Sequence, residues 1–151
     1  MPRKTSIYLD TSIPNALFQG PPERTNATAK FFRTVPPAHD AFVSEFVLSE
    51  IEATPDPVRR RDLLASVETF VVLPVSPEAE RLAAEYLKYL KIPEADALHI
   101  AIATIEGIDY LVTWNMEHMA KEKTRRIVDN QNFLTGSHRI FIVTPGDLLE
   151  E

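Results

Sequence analysis

Two aspartates carry the chemistry this sequence offers most plainly. Asp10 directly follows the apolar run Ile7-Tyr8-Leu9, with the small hydroxyls of Thr11 and Ser12 behind it. Asp96 opens Asp96-Ala97-Leu98-His99-Ile100-Ala101-Ile102-Ala103, a segment apolar on nearly every face. A helix of that kind is normally buried, and burying a carboxylate is costly unless it is paired or bound to metal. The helix dipole favours a carboxylate in the first turn by only about 0.3–1 kcal/mol, a weak reason to place a charge there. Two carboxylates brought together suit a hard divalent cation such as Mg2+ or Mn2+. Such a cation activates water and neutralises charge growing on phosphate oxygens. Taken alone, Asp10 serves equally well as a turn or helix-capping residue, a common use of Asp after a strand.

Other polar residues fall near the same places. In Ser44-Glu45-Phe46-Val47-Leu48-Ser49-Glu50-Ile51-Glu52, Val47 and Ile51 form one i, i+4 pair and Phe46 and Glu50 the next. Glu50 therefore borders the apolar stripe, although exposure is the ordinary state of a glutamate on a surface helix. Glu45 and Glu52 read as solvated. Thr113-Trp114-Asn115 closes another apolar run, with Thr113 and Asn115 near one edge and Trp114 read as packing. Asn in that position is also a common turn former. His99 lies one helical turn after Asp96, where it either meets the acidic pocket or packs as a satisfied core histidine. His118 has no metal-ligand spacing to another histidine, and His39 and His138 read as loop residues. Zinc is not expected.

These residues need a scaffold. Ser6–Leu9, Ala41–Val43, Phe70–Leu73, Tyr110–Thr113 and Arg139–Val143 read as strands, continuous in apolar character as in parallel sheets covered on both faces. Helical patterns fill the gaps at residues 25–33, 45–53, 58–68, 78–91, 95–106 and 123–134. Pro93 and Glu94 suit a first helical turn, and Gly107 a C-terminal cap. Loops are expected over Gln19–Glu23, Val35–Asp40, Thr54–Pro57 and Thr135–His138. Strands alternating with helices predict an α/β fold: a three-layer α/β/α domain, with a mostly parallel sheet of about five strands. With no repeat or boundary, residues 1–151 read as a single domain. In such sheets ligands bind beyond the C-terminal strand ends, which is where Asp10, Thr113 and Asn115 fall.

Composition narrows the classes. The chain of 151 residues is long enough for one real core. Having no cysteine, it has no disulfide, thiolate metal site or cysteine nucleophile. A net charge of −6 argues against binding nucleic acid by bulk electrostatics, but not against an enzyme whose bound cations offset its acids. Basic residues gather at Arg59-Arg60-Arg61 and at Lys121, Lys123, Arg125 and Arg126. They either track a nucleic-acid backbone or are solvated faces among acids. Leu63, Leu64, Tyr86 and Leu90 line either an interface or the core. No run approaches the roughly 20 apolar residues a membrane span needs, and no signal-peptide core precedes Ile7. A cytoplasmic protein without membrane association is expected.

Taken in order, Tyr8-Leu9-Asp10-Thr11-Ser12, Ser44 to Glu50, Asp96 to Ala103 and Leu111-Val112-Thr113-Trp114-Asn115 resemble the PIN-domain ribonucleases. Within that family the likeness is to the VapC-like toxins of toxin–antitoxin pairs. It runs from about Ser6 to Pro145, and its specificity lies in the order and spacing of the motifs. The resemblance implies a PIN-like domain and a Mg2+- or Mn2+-dependent endoribonuclease. It places Asp10, Glu50 and Asp96 at the family's first three acidic positions, Asp10 and Asp96 as direct ligands. Glu50 would orient or deprotonate water, or bind the metal through water. Thr113 matches a small hydroxyl residue that orients the acids. The fourth position, usually Asp, holds Asn115, which brings no negative charge and puts a second metal ion in question. The resemblance further implies RNA as substrate, an antitoxin partner and a homodimer. A catalytically inactive PIN-like domain that binds RNA or protein is the alternative. An aspartyl-nucleophile phosphatase of the haloacid-dehalogenase type is disfavoured, because its second aspartate would stand where Ser12 does.

Overall fold

The computed structural model describes residues 4–149, so the ends of the 1–151 range lie outside the described residues. Strand β1 (Ser6–Leu9) is buried at every position. Its side chains alternate between the two faces of the sheet, so both faces are covered, and the uninterrupted apolar run is explained. β1 pairs in parallel with β2 (Asp40–Ser44) on one side and β4 (Tyr110–Val112) on the other. β3 (Val71–Leu73) and β5 (Phe141–Val143) form the edges, giving a five-stranded, all-parallel sheet of order β3-β2-β1-β4-β5. The expected α/β/α architecture is observed, with no antiparallel strand among the described residues.

The strand order determines where a site can form. From β1 the chain builds outward through β2 to β3, then returns to add β4 and β5 on the opposite side. The direction of winding therefore reverses between β1 and β4, and their C-terminal ends flank the crevice where such sheets bind ligands. Leu9 stands opposite Val112 in this register. Asp10 and Thr113, one residue further on each strand, are thus neighbours.

Six helices match the sequence pattern: α2 (Pro22–Thr34), α3 (Glu45–Glu52), α4 (Pro57–Ser66), α5 (Pro77–Tyr86), α6 (Glu94–Ile105) and α7 (Glu122–Leu134). Their ends differ where local chemistry overrides periodicity. Pro22, in the first turn, starts α2 inside the expected Gln19–Glu23 loop. α5 stops at Tyr86 rather than residue 91, with Tyr89 and Leu90 folding back to the Tyr86 carbonyl at 3.0 and 2.9 Å. Three short elements were not expected: α1 (Ser12–Ala16), a 3-10 turn at Pro36–Ala38 and α8 (Pro145–Leu149). Pro93 caps α6 rather than entering it. α6 ends at Gly107, whose φ of +73° suits a residue without Cβ. There the Gly107 and Ile108 amides donate to Thr104 and Ala103 carbonyls at 3.2 and 3.0 Å, a Schellman closure leading straight into β4.

The core gathers β1, the inner faces of α3 and α5 and nearly all of α6. Leu63, Tyr86 and Leu90 are buried in it and Leu64 packs against it. Among the described residues no helix is long and apolar enough to cross a membrane.

Candidate active site

Asp10 continues β1 by one residue, its amide bonding the Val112 carbonyl at 3.3 Å. Its carboxylate is only 4% exposed. Oδ1 accepts from the Ser12 amide at 3.1 Å and the Ser12 hydroxyl at 2.5 Å, while Oδ2 accepts from the Thr113 hydroxyl at 2.5 Å. No cation pairs with it among the described residues. Burial pushes its pKa up, the nearby His99 and the Ser12 and Thr113 hydroxyls pull it down, and the Asp96 charge pushes it up again; the net shift is upward. Asp10 is thus the buried carboxylate, whereas Asp96, on a helix expected to be buried, is itself half-buried.

Asp96 sits in the first turn of α6, where the helix first meets the crevice. Its Oδ2 accepts from the Asn115 side-chain amide at 2.9 Å. The Asn115 carbonyl oxygen accepts from the His118 amide at 3.0 Å, so both ends of this side chain are engaged. Asn115 therefore orients Asp96 and tightens the turn after β4. Burial raises the Asp96 pKa, partly offset by the Asn115 hydrogen bond.

Glu50 reaches the same region from the last turn of α3. Its Oε1 accepts from the Thr11 hydroxyl and lies 2.8 Å from His99 Nε2. Burial alone would raise its pKa, but the His99 and Thr11 hydrogen bonds outweigh burial and the net shift is downward. Behind it, His99 Nδ1 lies 2.7 Å from the Tyr8 hydroxyl, which in turn lies 2.8 Å from Ser44 Oγ. Ser44 also caps α3, accepting from the Val47 amide at 3.1 Å. A continuous hydrogen-bonded line thus runs from the core through Tyr8 and His99 to Glu50. His99 is both a satisfied core histidine and a neighbour of the acids.

The structure brings Asp10 to Thr113 and Asp96 to Asn115 by hydrogen bonds, while Glu50 bonds His99 and Thr11 and reaches Asp96 only through its charge. Ser12, whose hydroxyl the sequence sets just behind Asp10, bonds it from two residues away. Tyr8 and Ser44 complete the network but carried no signal as site residues, because Tyr8 meets Ser44 and His99 across other elements. Among the described residues no three His, Cys, Asp or Glu side chains converge into a set able to hold an ion. The donor chemistry nevertheless fits Mg2+ or Mn2+, since Mg2+ commonly binds through one or two carboxylates and keeps several waters. Asp10 and Asp96, each raised in pKa chiefly by burial, are the candidates for such a pair.

The basic residues divide. Arg61 ion-pairs with Asp62, Arg60 donates to the Thr54 carbonyl at 2.8 Å and Arg126 pairs with Glu122. Arg59 donates to the Phe18 carbonyl and Gln19 Oε1 beside the site. Lys121 and Lys123 line a separate cleft with His118.

Several solved structures share this architecture. VapC20 of Mycobacterium tuberculosis, titled a sarcin–ricin loop cleaving toxin, is 21% identical with a TM-score of 0.60, over 76% of this chain and 93% of its own. A toxin–antitoxin complex from Klebsiella pneumoniae is 18% identical, TM-score 0.61, over 78% of this chain and 93% of that one. VapBC2 of Rickettsia felis, bound to a DNA fragment from the promoter, is 15% identical with a TM-score of 0.63, over 93% and 98%. At these identities the likeness is one of fold. No curated protein matches the sequence. The family model for the PIN domain matches residues 7–119, from β1 through the turn after β4 and so across Asp10, Glu50, Asp96, Thr113 and Asn115. This chain belongs to the PIN-domain family.

Proposed function

We propose that this chain is a Mg2+- or Mn2+-dependent endoribonuclease acting as the toxin of a toxin–antitoxin pair. One observation carries the reading: a buried Asp10, held by three donors and no cation, lies within electrostatic reach of Asp96 at the point where the sheet reverses its winding. Family membership and the fold shared with toxin–antitoxin proteins support it.

In this mechanism Asp10 and Asp96 would hold the metal ion, with Glu50 acting through water. When bound, the ion supplies Lewis-acid activation of water and neutralises charge on the phosphate. Thr113 and Ser12 keep the Asp10 oxygens aimed into the crevice, and Asn115 does the same for Asp96. The downward pKa shift of Glu50 keeps it ionised at neutral pH. Its Oε1 is occupied by His99 and Thr11, which leaves Oε2 to accept the proton of the attacking water. A carboxylate so anchored points one way, and a positioned general base contributes roughly 10^2–10^4-fold.

RNA incubated with the purified chain is expected to be cut only when Mn2+ or Mg2+ is present. Asp10→Asn and Asp96→Asn should each abolish cleavage; full activity in either variant refutes the assignment. Metal-independent RNA binding without turnover would instead mark a PIN-like binding domain. An antitoxin partner and a homodimer belong to the same reading. Co-purification with the product of an adjacent small gene, and a solution mass of twice the chain, are the results expected.

A further inference from the structure

Beside the acids lies a cleft of about 380 Å3 bounded by residues that include Ser12, Gln19, Arg24, Trp114 and Asn115. Ser12 bonds Asp10 and Asn115 bonds Asp96, so two residues of the cleft wall are hydrogen-bonded to the carboxylates. A polyanion approaching these acids, on a chain of net charge −6, needs cations placed locally. Arg24 is one. It is exposed near the start of α2, and its guanidinium carbon lies 5.3 Å from the centre of the Trp114 ring. No carboxylate pairs with it among the described residues.

The ring beneath Arg24 is fixed from two sides. Trp114 Nε1–H donates to Thr28 Oγ1 at 2.9 Å, and its backbone amide donates to Ser12 Oγ at 2.9 Å, the same hydroxyl that bonds Asp10. A guanidinium stacked on a fixed ring keeps its N–H edge for a phosphate, which it can grip in bidentate fashion. Past Gln19 the arrangement repeats. Arg59 lies 5.5 Å from the Phe18 ring centre and donates to Gln19 Oε1, again with no carboxylate partner among the described residues. Such alternation of cations with aromatic rings is how proteins hold unpaired strands, whose bases also stack on guanidinium planes.

We propose that this cleft seats single-stranded nucleic acid, with Arg24 on Trp114 gripping a phosphate beside the acid centre and Arg59 on Phe18 gripping one further out. The inference rests on the nuclease reading for the identity of the polyanion, and it is tested without catalysis. Trp114 is the only tryptophan in the sequence, so its emission reports on this cleft alone. Single-stranded RNA of about ten nucleotides, added in EDTA, is expected to change Trp114 emission saturably. Anisotropy of the labelled strand should show Arg24→Ala binding about tenfold more weakly, with the slope of log affinity against log salt shallower by about 0.7, the value for one lost phosphate contact. Arg61→Ala, whose side chain does not line the cleft, should change neither, and thermal unfolding of each variant confirms that it is folded. Unchanged emission on binding, unchanged affinity in Arg24→Ala, or equal affinity for a duplex of the same sequence overturns the proposal. Metal-dependent cleavage alongside Arg24-independent binding removes this cleft and leaves the nuclease reading intact. Arg24-dependent binding with no metal-dependent cleavage supports the cleft and removes the nuclease reading.

Discussion

A carboxylate buried among hydroxyls and one held by a histidine respond to pH in opposite directions, and this site contains both. The Asp10 pKa is raised on folding, so the folded protein binds that proton more tightly than the unfolded chain does. Its contribution to stability is fully present below the ordinary aspartate range and is lost as pH rises through the raised value. Glu50, shifted downward, contributes stability above the ordinary glutamate range that is lost as pH falls through its lowered value. Urea unfolding in EDTA across pH 3 to 8 should therefore show wild type losing stability relative to Asp10→Asn as pH rises through that window. A constant difference between the two would contradict the assignment. His99 ties Glu50 to the buried Tyr8. His99→Ala leaves the Tyr8 hydroxyl and Glu50 Oε1 each short of a partner, and is expected to cost about 1–3 kcal/mol of stability. It should lower kcat more than KM, since Glu50 loses its aim while the cleft is untouched; His99→Gln should recover part of both. The placement of Asp10 at a strand end and of Asp96 in the first turn of an apolar helix was legible in the sequence. The Tyr8–Ser44–His99 line was not, because it depends on β1 and β2 meeting in register.

At the level of elements, the long pieces followed their periodicity and the short ones did not. α6 was readable because its apolar run is continuous, and α3 because Ser44 precedes a stripe. α1 was hidden by its length of five residues and by Pro14 in its middle. It forms because Ile13, Pro14 and Ala16 are buried against the rest of the fold, a tertiary cause with no local signature. The α6–β4 turn matters most to the site, since it joins the helix carrying Asp96 and His99 to the strand leading to Thr113. A Cβ on Gly107 would meet nothing within 4 Å, so crowding is not the issue; its left-handed φ is. Gly107→Ala should cost about 1 kcal/mol through backbone strain alone, read as a lower urea midpoint with unchanged slope. No loss would mean that the turn adjusts freely.

For the whole molecule, the reversal of winding between β1 and β4 brings Asp10, Glu50 and Asp96 to one end of the sheet from three separate stretches of chain. Their charges repel, so a cation binding between them should favour the folded state over the unfolded one. At a hundred times its Kd, Mn2+ is expected to add about 2.7 kcal/mol by mass action, seen as a Tm that climbs with metal concentration. Asp10→Asn should flatten that climb, and an equal climb in the variant would place the ion elsewhere. The parallel sheet and its layers were legible from alternating runs; the strand order was not, because nothing local says on which side of β1 the fourth strand returns.

The hydrogen bond between Thr113 and Asp10 spans 103 positions of sequence. During synthesis Asp10 and Glu50 are made long before Asp96 and Thr113. A ribosome making this chain therefore carries an incomplete set of acids until α6 emerges. The same separation offers a way to handle the proposed nuclease activity safely. Divided in the loop between α3 and α4, the chain yields two pieces, one with Asp10 and Glu50 and the other with Asp96 and Asn115. Neither piece holds the pair of aspartates, and a cell could make both apart and have them meet only on demand.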